Sequence, residues 1–407
     1  MSEAAALASP TAASPGAPSV AAPADLAVAA PSPPVQRSLG VKAGEWDDNA
    51  NYRDFLAYIG AAGGIEKLNV SNRQFVVVED AQGKGVPNCA LKISEGENNV
   101  SLVTMASGRA ILFPKAHNLS SNTFKVSATC GSKNATATGT IDASEPDGVT
   151  RLKLSTSRVE AQKPVVELAF VLDTTGSMSE EIESVKETLD KVVKRFDNSA
   201  TIRVGLVEYK DKGDSFVTKV YPFTTDLVAF RKQIDGISAS GGGDTPEDVN
   251  SGLAATLSEL KWSADASSRL AFLIADAPPH LDYPNGVPYS SSAKKAAAAG
   301  IKVHTISASG MDDVGQAVFR QVAQFTGGSN MFVLRGGAGP QSAGAGDVKS
   351  SCGPTHDNFT SGNLDELIIR KVKLELAALK ANPLSIAGLG QDESAKPCEK
   401  RVLLVAD

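Results

Sequence analysis

Between residues 165 and 335, apolar runs of strand length alternate with stretches whose apolar residues recur at helical spacing. The strand-like runs are VELAFVLD (166–173), IRVGLVEY (202–209), KVYPFT (219–224), RLAFLIAD (269–276), KVHTISA (302–308) and MFVL (331–334). Between them, Ile182, Val185, Leu189, Val192 and Phe196 share one helical face, and Val249, Leu253, Leu257 and Leu260 share another. Further helices are predicted over Ser292–Ala299 and Val314–Phe325. This alternation predicts an α/β domain with a largely parallel, Rossmann-like doubly wound sheet. Continuous apolar strands such as AFLIA fit burial on both faces. KVYPFT carries a proline and polar ends, which puts it at an edge. Beyond the glycine-rich RGGAGPQSAGAGD (335–347), Leu364, Leu367, Ile368, Val372, Leu376 and Leu379 line one more helix that packs back onto the sheet. The terminal RVLLVAD predicts an extra strand.

Upstream the rhythm differs. RQFVVVED, CALKIS, SLVTMA, GRAILFP, TFKVSATC, ATATGTID and TRLKLS follow one another between residues 73 and 158, separated by turn signals such as AQGKGVPN. Short β-rich runs of this kind predict a small sandwich. Their pattern resembles immunoglobulin-like or carboxypeptidase-regulatory-like modules of exported proteins. Asn51–Ile59 predicts a short helix ended by glycines, with Trp46 and Tyr52 as packing residues. The expected organisation is a disordered Ala/Pro-rich tail (1–38), a short helical segment (39–70), the β-rich domain (71–160), the α/β domain (165–380) and an extension (381–407).

Composition narrows the function classes. A chain of 407 residues that is 42% hydrophobic can form two globular domains and a tail. Its net charge of -6, without a long basic run, argues against a nucleic-acid partner. No stretch of about 18 apolar residues occurs, so no transmembrane helix is expected. The Ala/Pro/Ser start suits a linker of polyproline character. It has no basic residue before Arg37 and its apolar runs are short, so no recognisable signal peptide is expected. Cys89, Cys130, Cys352 and Cys398 form no C-x-x-C and fall into two pairs. A disulfide in each half would suit an oxidising compartment, and free buried thiols are the alternative. The expected location is extracytoplasmic, in the periplasm, envelope or medium, with the cytoplasm as the alternative.

In an open α/β sheet, ligands sit beyond the carboxyl ends of the strands. There the first strand presents Asp173, Thr175 and Ser177, and RLAFLIAD presents Asp276. SASGGGDTPEDV places Gly241–Gly243, Asp244 and Thr245 before a helix. All these donors are hard oxygens, which suit Mg²⁺. No Cys or His is interleaved, which disfavours zinc and copper. Two of these residues also have capping readings. Ser177 and Glu180 form an S-x-x-E capping box, and Thr245, Pro246 and Asp248 read as an N-cap, a first-turn proline and an acidic N3. His304 reads as a strand histidine, His280 as a loop residue beside the site, and EYKDKGD as a solvated turn. The glycine runs lack the G-K-S/T of a phosphate loop, and no G-x-S-x-G elbow occurs. N-x-S/T sequons lie at Asn69, Asn118, Asn134 and Asn358.

DTTGSM matches the D-x-S/T-x-S motif of the von Willebrand factor type A domain, GGGDTPE resembles its second metal loop, and LIADAPPH its third motif. The resemblance covers roughly residues 165–335, extends to 380, and leaves out the first 160. It implies a Rossmann-like sheet carrying a metal-ion-dependent adhesion site. Thr175 and Ser177 would bind Mg²⁺, with Mn²⁺ or Ca²⁺ as alternatives, while Asp173 and Asp276 would act through water or hydrogen bonds. The family's second loop reads G-G-T. Here Gly243 takes the threonine position, so Asp244 or Thr245 would substitute. The resemblance further implies a non-enzymatic module that grips an Asp or Glu of a protein partner. The rivals are a structural module whose metal serves folding, and a metal-assisted hydrolase built on Asp173, Asp244 and Asp276, which would need a general base.

Overall fold

In the computed structural model the described residues are 41–131, 134–195, 199–333 and 360–380. They belong to one unit of the chain, Gly40–Asp407. The predicted tail, Phe196, the glycine-rich loop, Cys352, His356, Asn358, Cys398 and RVLLVAD lie outside the described residues.

Strand β9 (Val165–Asp173) is an inner strand of an eight-stranded sheet, third from one edge. Val166 to Asp173 are all buried, as the unbroken apolar run requires. It pairs in parallel with β10 (Thr201–Tyr209) on one side and β12 (Ser268–Ala275) on the other. β13 (Ile301–Ser307) and β14 (Asn330–Val333) continue the parallel set beyond β12. β11 (Thr218–Thr224), which contains Pro222, is the antiparallel edge next to β10, as its proline and polar ends predict. Helices cover both faces. Leu168, Phe170 and Leu172 pack into a core with α2 (Ile182–Lys194), α3 (Leu227–Asp235) and α7 (Leu364–Ala378). Ala169 and Val171 face a second core with α4 (Val249–Ser258), α5 (Tyr289–Ala298) and α6 (Asp313–Phe325). α3 has no counterpart in the sequence reading. Asp226 starts it by accepting from the backbone N–H groups of Val228 (3.1 Å) and Ala229 (3.0 Å).

The far edge of this sheet is built from unexpected segments. β1 (Lys42–Trp46) lies antiparallel between β14 and β15 (Thr360–Asn363). KAGEW does not look like a strand because Glu45 interrupts its apolar character. That glutamate is buried and ion-paired with the equally buried Lys371 of α7. α1 (Tyr52–Ala61) then packs Tyr52, Phe55 and Tyr58 into the same core as Phe319 and Val322 of α6. Arg320 of α6 pairs with Asp48 (Nε to Oδ2, 2.8 Å) and lies over the rings of Trp46 and Tyr58. The sheet thus draws on chain from both sides of the β-rich segment.

That segment is a two-layer sandwich. One sheet runs β5 (Arg109–Leu112), β2 (Gln74–Glu79), β8 (Gly148–Lys153). The other runs β4 (Asn98–Val103), β3 (Ala90–Glu95), β6 (Thr123–Cys130), β7 (Ala135–Asp142). Val76, Val78, Leu91, Ile93, Phe124, Val126 and Leu152 fill the space between them. A disulfide joins Cys89, just before β3, to Cys130 at the end of the neighbouring β6. Asn88 holds the sandwich to the large sheet: its side-chain oxygen accepts from Arg269 Nη1 (2.8 Å) and its Nδ2 donates to the Ala266 carbonyl (2.6 Å). Those contacts are at the start of β12, opposite the strand ends that carry Asp173 and Asp276.

Phe55 is fully buried although it precedes the sandwich in sequence. Phe55→Ala should lower the unfolding free energy by about 3–5 kcal/mol, read from the denaturant midpoint. A loss below about 1 kcal/mol would show that α1 is not part of the α/β core.

Candidate metal centre

The parallel register brings two strand ends together. Leu172 of β9 is opposite Ile274 of β12, so Asp173 and Asp276 emerge side by side at the carboxyl edge. Thr175 donates its hydroxyl to Asp173 Oδ1 (2.7 Å), and its backbone N–H donates to the same oxygen (2.9 Å). Ser177 donates its hydroxyl to Asp276 Oδ1 (2.9 Å). A hydroxyl has one proton to give. Both hydroxyls are directed at carboxylates, and the two hydroxyl oxygens lie 3.1 Å apart. An octahedral cation with ligands at about 2.0–2.1 Å has adjacent oxygens about 2.8–3.0 Å apart, close to this spacing. The pair therefore fits a small hard cation.

The loop ahead of α4 supplies a third side. Gly241 and Gly242 have positive φ (78° and 68°) and no room for a side chain. A Cβ on Gly242 would lie 2.6 Å from Glu247 Oε1 and 3.1 Å from Thr175 Cβ. Gly241 accepts from the Gly176 N–H through its carbonyl (2.8 Å), and Asp214 receives the Gly242 N–H (2.9 Å). Lys210 is buried beneath this junction, with its ammonium on the carbonyls of Thr174 and Ser240. The glycines thus let the loop lie directly over DTTGS, and Asp214 and Lys210 fasten it there.

This packing brings in Glu247, which sequence reasoning missed. Glu247 is 2% exposed, and its Oε2 has no hydrogen-bond partner. A buried, unpartnered carboxylate oxygen is costly unless a proton or cation satisfies it. Burial, reinforced by the Asp173 charge and opposed by the Thr175 hydroxyl, pushes the Glu247 pKa up to about 8. Burial pushes Asp173 up to about 7, against the hydrogen bonds from Thr175, and Asp276 is raised for the same reason. Tyr209, fully buried, donates to Asp173 Oδ2 (3.3 Å) and has its own pKa raised by burial and by Asp173. The centre collects acidic groups in a medium that opposes their ionisation, which is the electrostatic setting a cation relieves. The signal in the sequence was the E of GGGDTPE, hidden because it reads as the first turn of a helix.

Asp173, Thr175, Ser177 and Asp276 form one hydrogen-bonded chain. Asp244 and Thr245 are exposed. Asp244 is instead grouped with Asp211 and His280, their ligand atoms all within 4.8 Å of one another. Both capping readings require correction. Ser177 makes no cap: Gly176–Glu180 is a short 3-10 turn, and the Ser177 hydroxyl is taken by Asp276. The N-cap of α4 is Asp248, not Thr245, and its Oδ1 accepts from the Ser251 N–H (3.0 Å). The EYKDKGD segment is not simply a solvated turn, because Lys210 and Asp211 are buried within it. His304 is a buried strand residue bonded to Ser329, as its position predicts.

An open parallel sheet with helices on both faces and oxygen donors at its carboxyl edge defines a doubly wound α/β domain with a candidate cation site. The family model of the von Willebrand factor A domain matches residues 167–334. Those residues are a von Willebrand factor A domain. Among similar proteins, von Willebrand factor A domain-containing protein 7 of Rattus norvegicus is 38% identical over 126 residues, 29% of this chain and 14% of that protein. The alpha-protein kinase vwkA of Dictyostelium discoideum is 33% identical over 133 residues, 32% of this chain and 21% of its own length. The chain therefore spans about a fifth or less of these relatives. The solved structure of BatB from Bacteroides thetaiotaomicron is 15% identical with a TM-score of 0.35, covering 53% of this chain and 99% of that one. Among the described residues, no helix is long and apolar enough to cross a membrane.

The raised carboxyls set a pH dependence. Folding lifts Asp173 from 3.8 to about 7, so between those values the folded state binds more protons than the unfolded one. Stability then falls as pH rises through that window and levels off above it. Melting of the wild type in chelator should therefore shift to lower temperature from pH 5 to pH 8. Asp173→Asn, which cannot titrate there, should shift less. Equal slopes for the two proteins would refute a raised Asp173.

Proposed function

We propose that the domain is a non-enzymatic, divalent-cation-dependent protein-binding module that captures an acidic side chain of a partner. The observation that carries this reading is the pair of hydroxyl oxygens 3.1 Å apart whose protons are committed to Asp173 and Asp276. Thr175 and Ser177 would hold the cation directly. Asp173 and Asp276 orient those hydroxyls and neutralise charge, and Glu247 offers the unsatisfied oxygen that Asp244 and Thr245 do not supply from their exposed positions. Mg²⁺ suits this all-oxygen set best, with Mn²⁺ as the nearest substitute. When bound, such an ion supplies positive charge and a coordination position for an incoming carboxylate.

The surrounding charge makes the capture conditional. Asp173, Asp276, Glu247, Asp211 and Asp214 all act on this edge of the sheet, and alone they would repel an Asp or Glu of the partner. Ser177 is exposed and marks the side from which a partner approaches. The Cys89–Cys130 disulfide supports a location outside the cytoplasm. The sandwich is attached at the opposite end of the strands, where Asn88 meets Arg269 and Ala266.

Calorimetric Mg²⁺ titration should give one site in the wild type. Ser177→Ala should weaken it at least about tenfold, the cost of losing one ligand. Capture of protein partners should disappear in chelator and be reduced by Ser177→Ala. Absence of Mg²⁺ heat from the wild type would sink the cation claim. Mg²⁺ binding that raises the melting temperature while capture is unchanged in chelator would make the ion structural.

A further inference from the structure

The cluster around His280 has a different chemistry from the hydroxyl-lined centre. His280 is 7% exposed, and its Nδ1 lies 2.8 Å from Asp282 Oδ1. A carboxylate can only accept, so Nδ1 carries the proton of that contact and Nε2 is the nitrogen left to meet a ligand. That Nε2 is buried without a hydrogen-bond partner. It faces Asp211 Oδ1 at 3.7 Å, beyond hydrogen-bond reach, and Asp244 completes a set of ligand atoms all within 4.8 Å. One imidazole nitrogen and two carboxylates converge there.

His280 and Asp211 are fixed from behind. The imidazole is stacked on Tyr283 with ring centroids 3.8 Å apart and an interplanar angle of 11°. The Tyr283 hydroxyl donates into the Asp211 carboxylate, 2.7 Å from Oδ1 and 2.8 Å from Oδ2. The Asp282–His280 contact is the carboxylate–imidazole arrangement that sets the tautomer of a metal-ligating histidine. The three residues come from three loops: the one after β10, the one before α4 and the one after β12.

We propose that Asp211, Asp244 and His280 form a second cation site, selective for a divalent transition metal of the Zn²⁺ class. An imidazole nitrogen with two carboxylates suits Zn²⁺ or Co²⁺, whereas Mg²⁺ prefers oxygen alone. A filled site ties the loop carrying Glu247 to the loops after β10 and β12. It does not depend on the hydroxyl-lined centre being a Mg²⁺ site, and the two are separable by mutation.

The test uses the full chain, stripped of metal and held in excess Mg²⁺. Equilibrium dialysis against Zn²⁺ should load one equivalent, and Co²⁺ loading should give visible d–d absorption. Asp244→Asn, at an exposed position that leaves the core intact, should weaken Zn²⁺ binding at least tenfold. His280→Gln, with its fold checked by thermal melting, should do the same, and Ser177→Ala should leave Zn²⁺ uptake unchanged. The proposal is overturned if the wild type retains no more Zn²⁺ than Asp244→Asn, or if Ser177→Ala loses Zn²⁺ equally. An imidazolium at His280 in place of a metal would give the first of those results.

Discussion

The candidate centre depends on the placement of one carboxyl group. Asp173 ends the inner strand β9, is fully buried, and receives hydrogen bonds from Thr175 and Tyr209. Its position is fixed by pairing on both sides, with Tyr209 directly across in β10 and Leu172 opposite Ile274 of β12. A slip of one residue in β9 would turn Asp173 and its alternating apolar neighbours to the other face, where they would meet α2 and α7 instead. The two cores that clamp β9 therefore hold the register on which the site's geometry rests. The desolvated carboxyl then controls the chemistry above it, because it takes the Thr175 proton and raises the pKa of Glu247.

Much of this was readable in the chain because it follows from local rules. Six apolar runs bounded by helices specify a parallel sheet, and Pro222 marks its edge. Asp173, Thr175, Ser177 and Asp276 were identifiable because strand ends in such a sheet face one place. Glu45 concealed β1, since a buried charge is invisible to a hydrophobic pattern until its partner, Lys371, is known. Glu247 was concealed for a related reason. Two residues separate it from Asp244, and only the turn through Gly241 and Gly242 decides which one points inward. His280 and Asp211 are 69 positions apart in number and could be linked only through the folded loops.

The helix starts around the site explain the concentration of acidic groups. α4 begins at its Asp248 cap, and the turn leading to α2 begins at Thr175, so backbone N–H groups and dipole ends point toward the centre. Such ends favour anions and oppose a cation by roughly 0.3–1 kcal/mol each. Asp173, Asp276 and Glu247 offset that opposition, and at the same time their mutual repulsion in a buried setting opposes full ionisation. The result is a site whose own charges are poorly tolerated without a counterion, and whose hydroxyls contribute ligands without adding to the repulsion.

The segment 241–248 connects the two clusters. It carries Asp244 toward Asp211 and His280, and Glu247 toward Thr175. The clusters also interact through charge, since Asp211 and Asp214 raise the Glu247 pKa. A divalent ion between Asp211 and Asp244 would cancel two negative charges and leave that side near neutral. Its effect on a cation at Thr175 and Ser177 would be a modest loss of attraction. Its effect on an approaching carboxylate would be the removal of a repulsion that acts at the mouth. These two consequences have opposite signs. The carboxylate's repulsion would come from the exposed Asp244 and the cation's attraction from charges behind intervening protein, so filling the second cluster would favour partner capture more than it weakens the first ion.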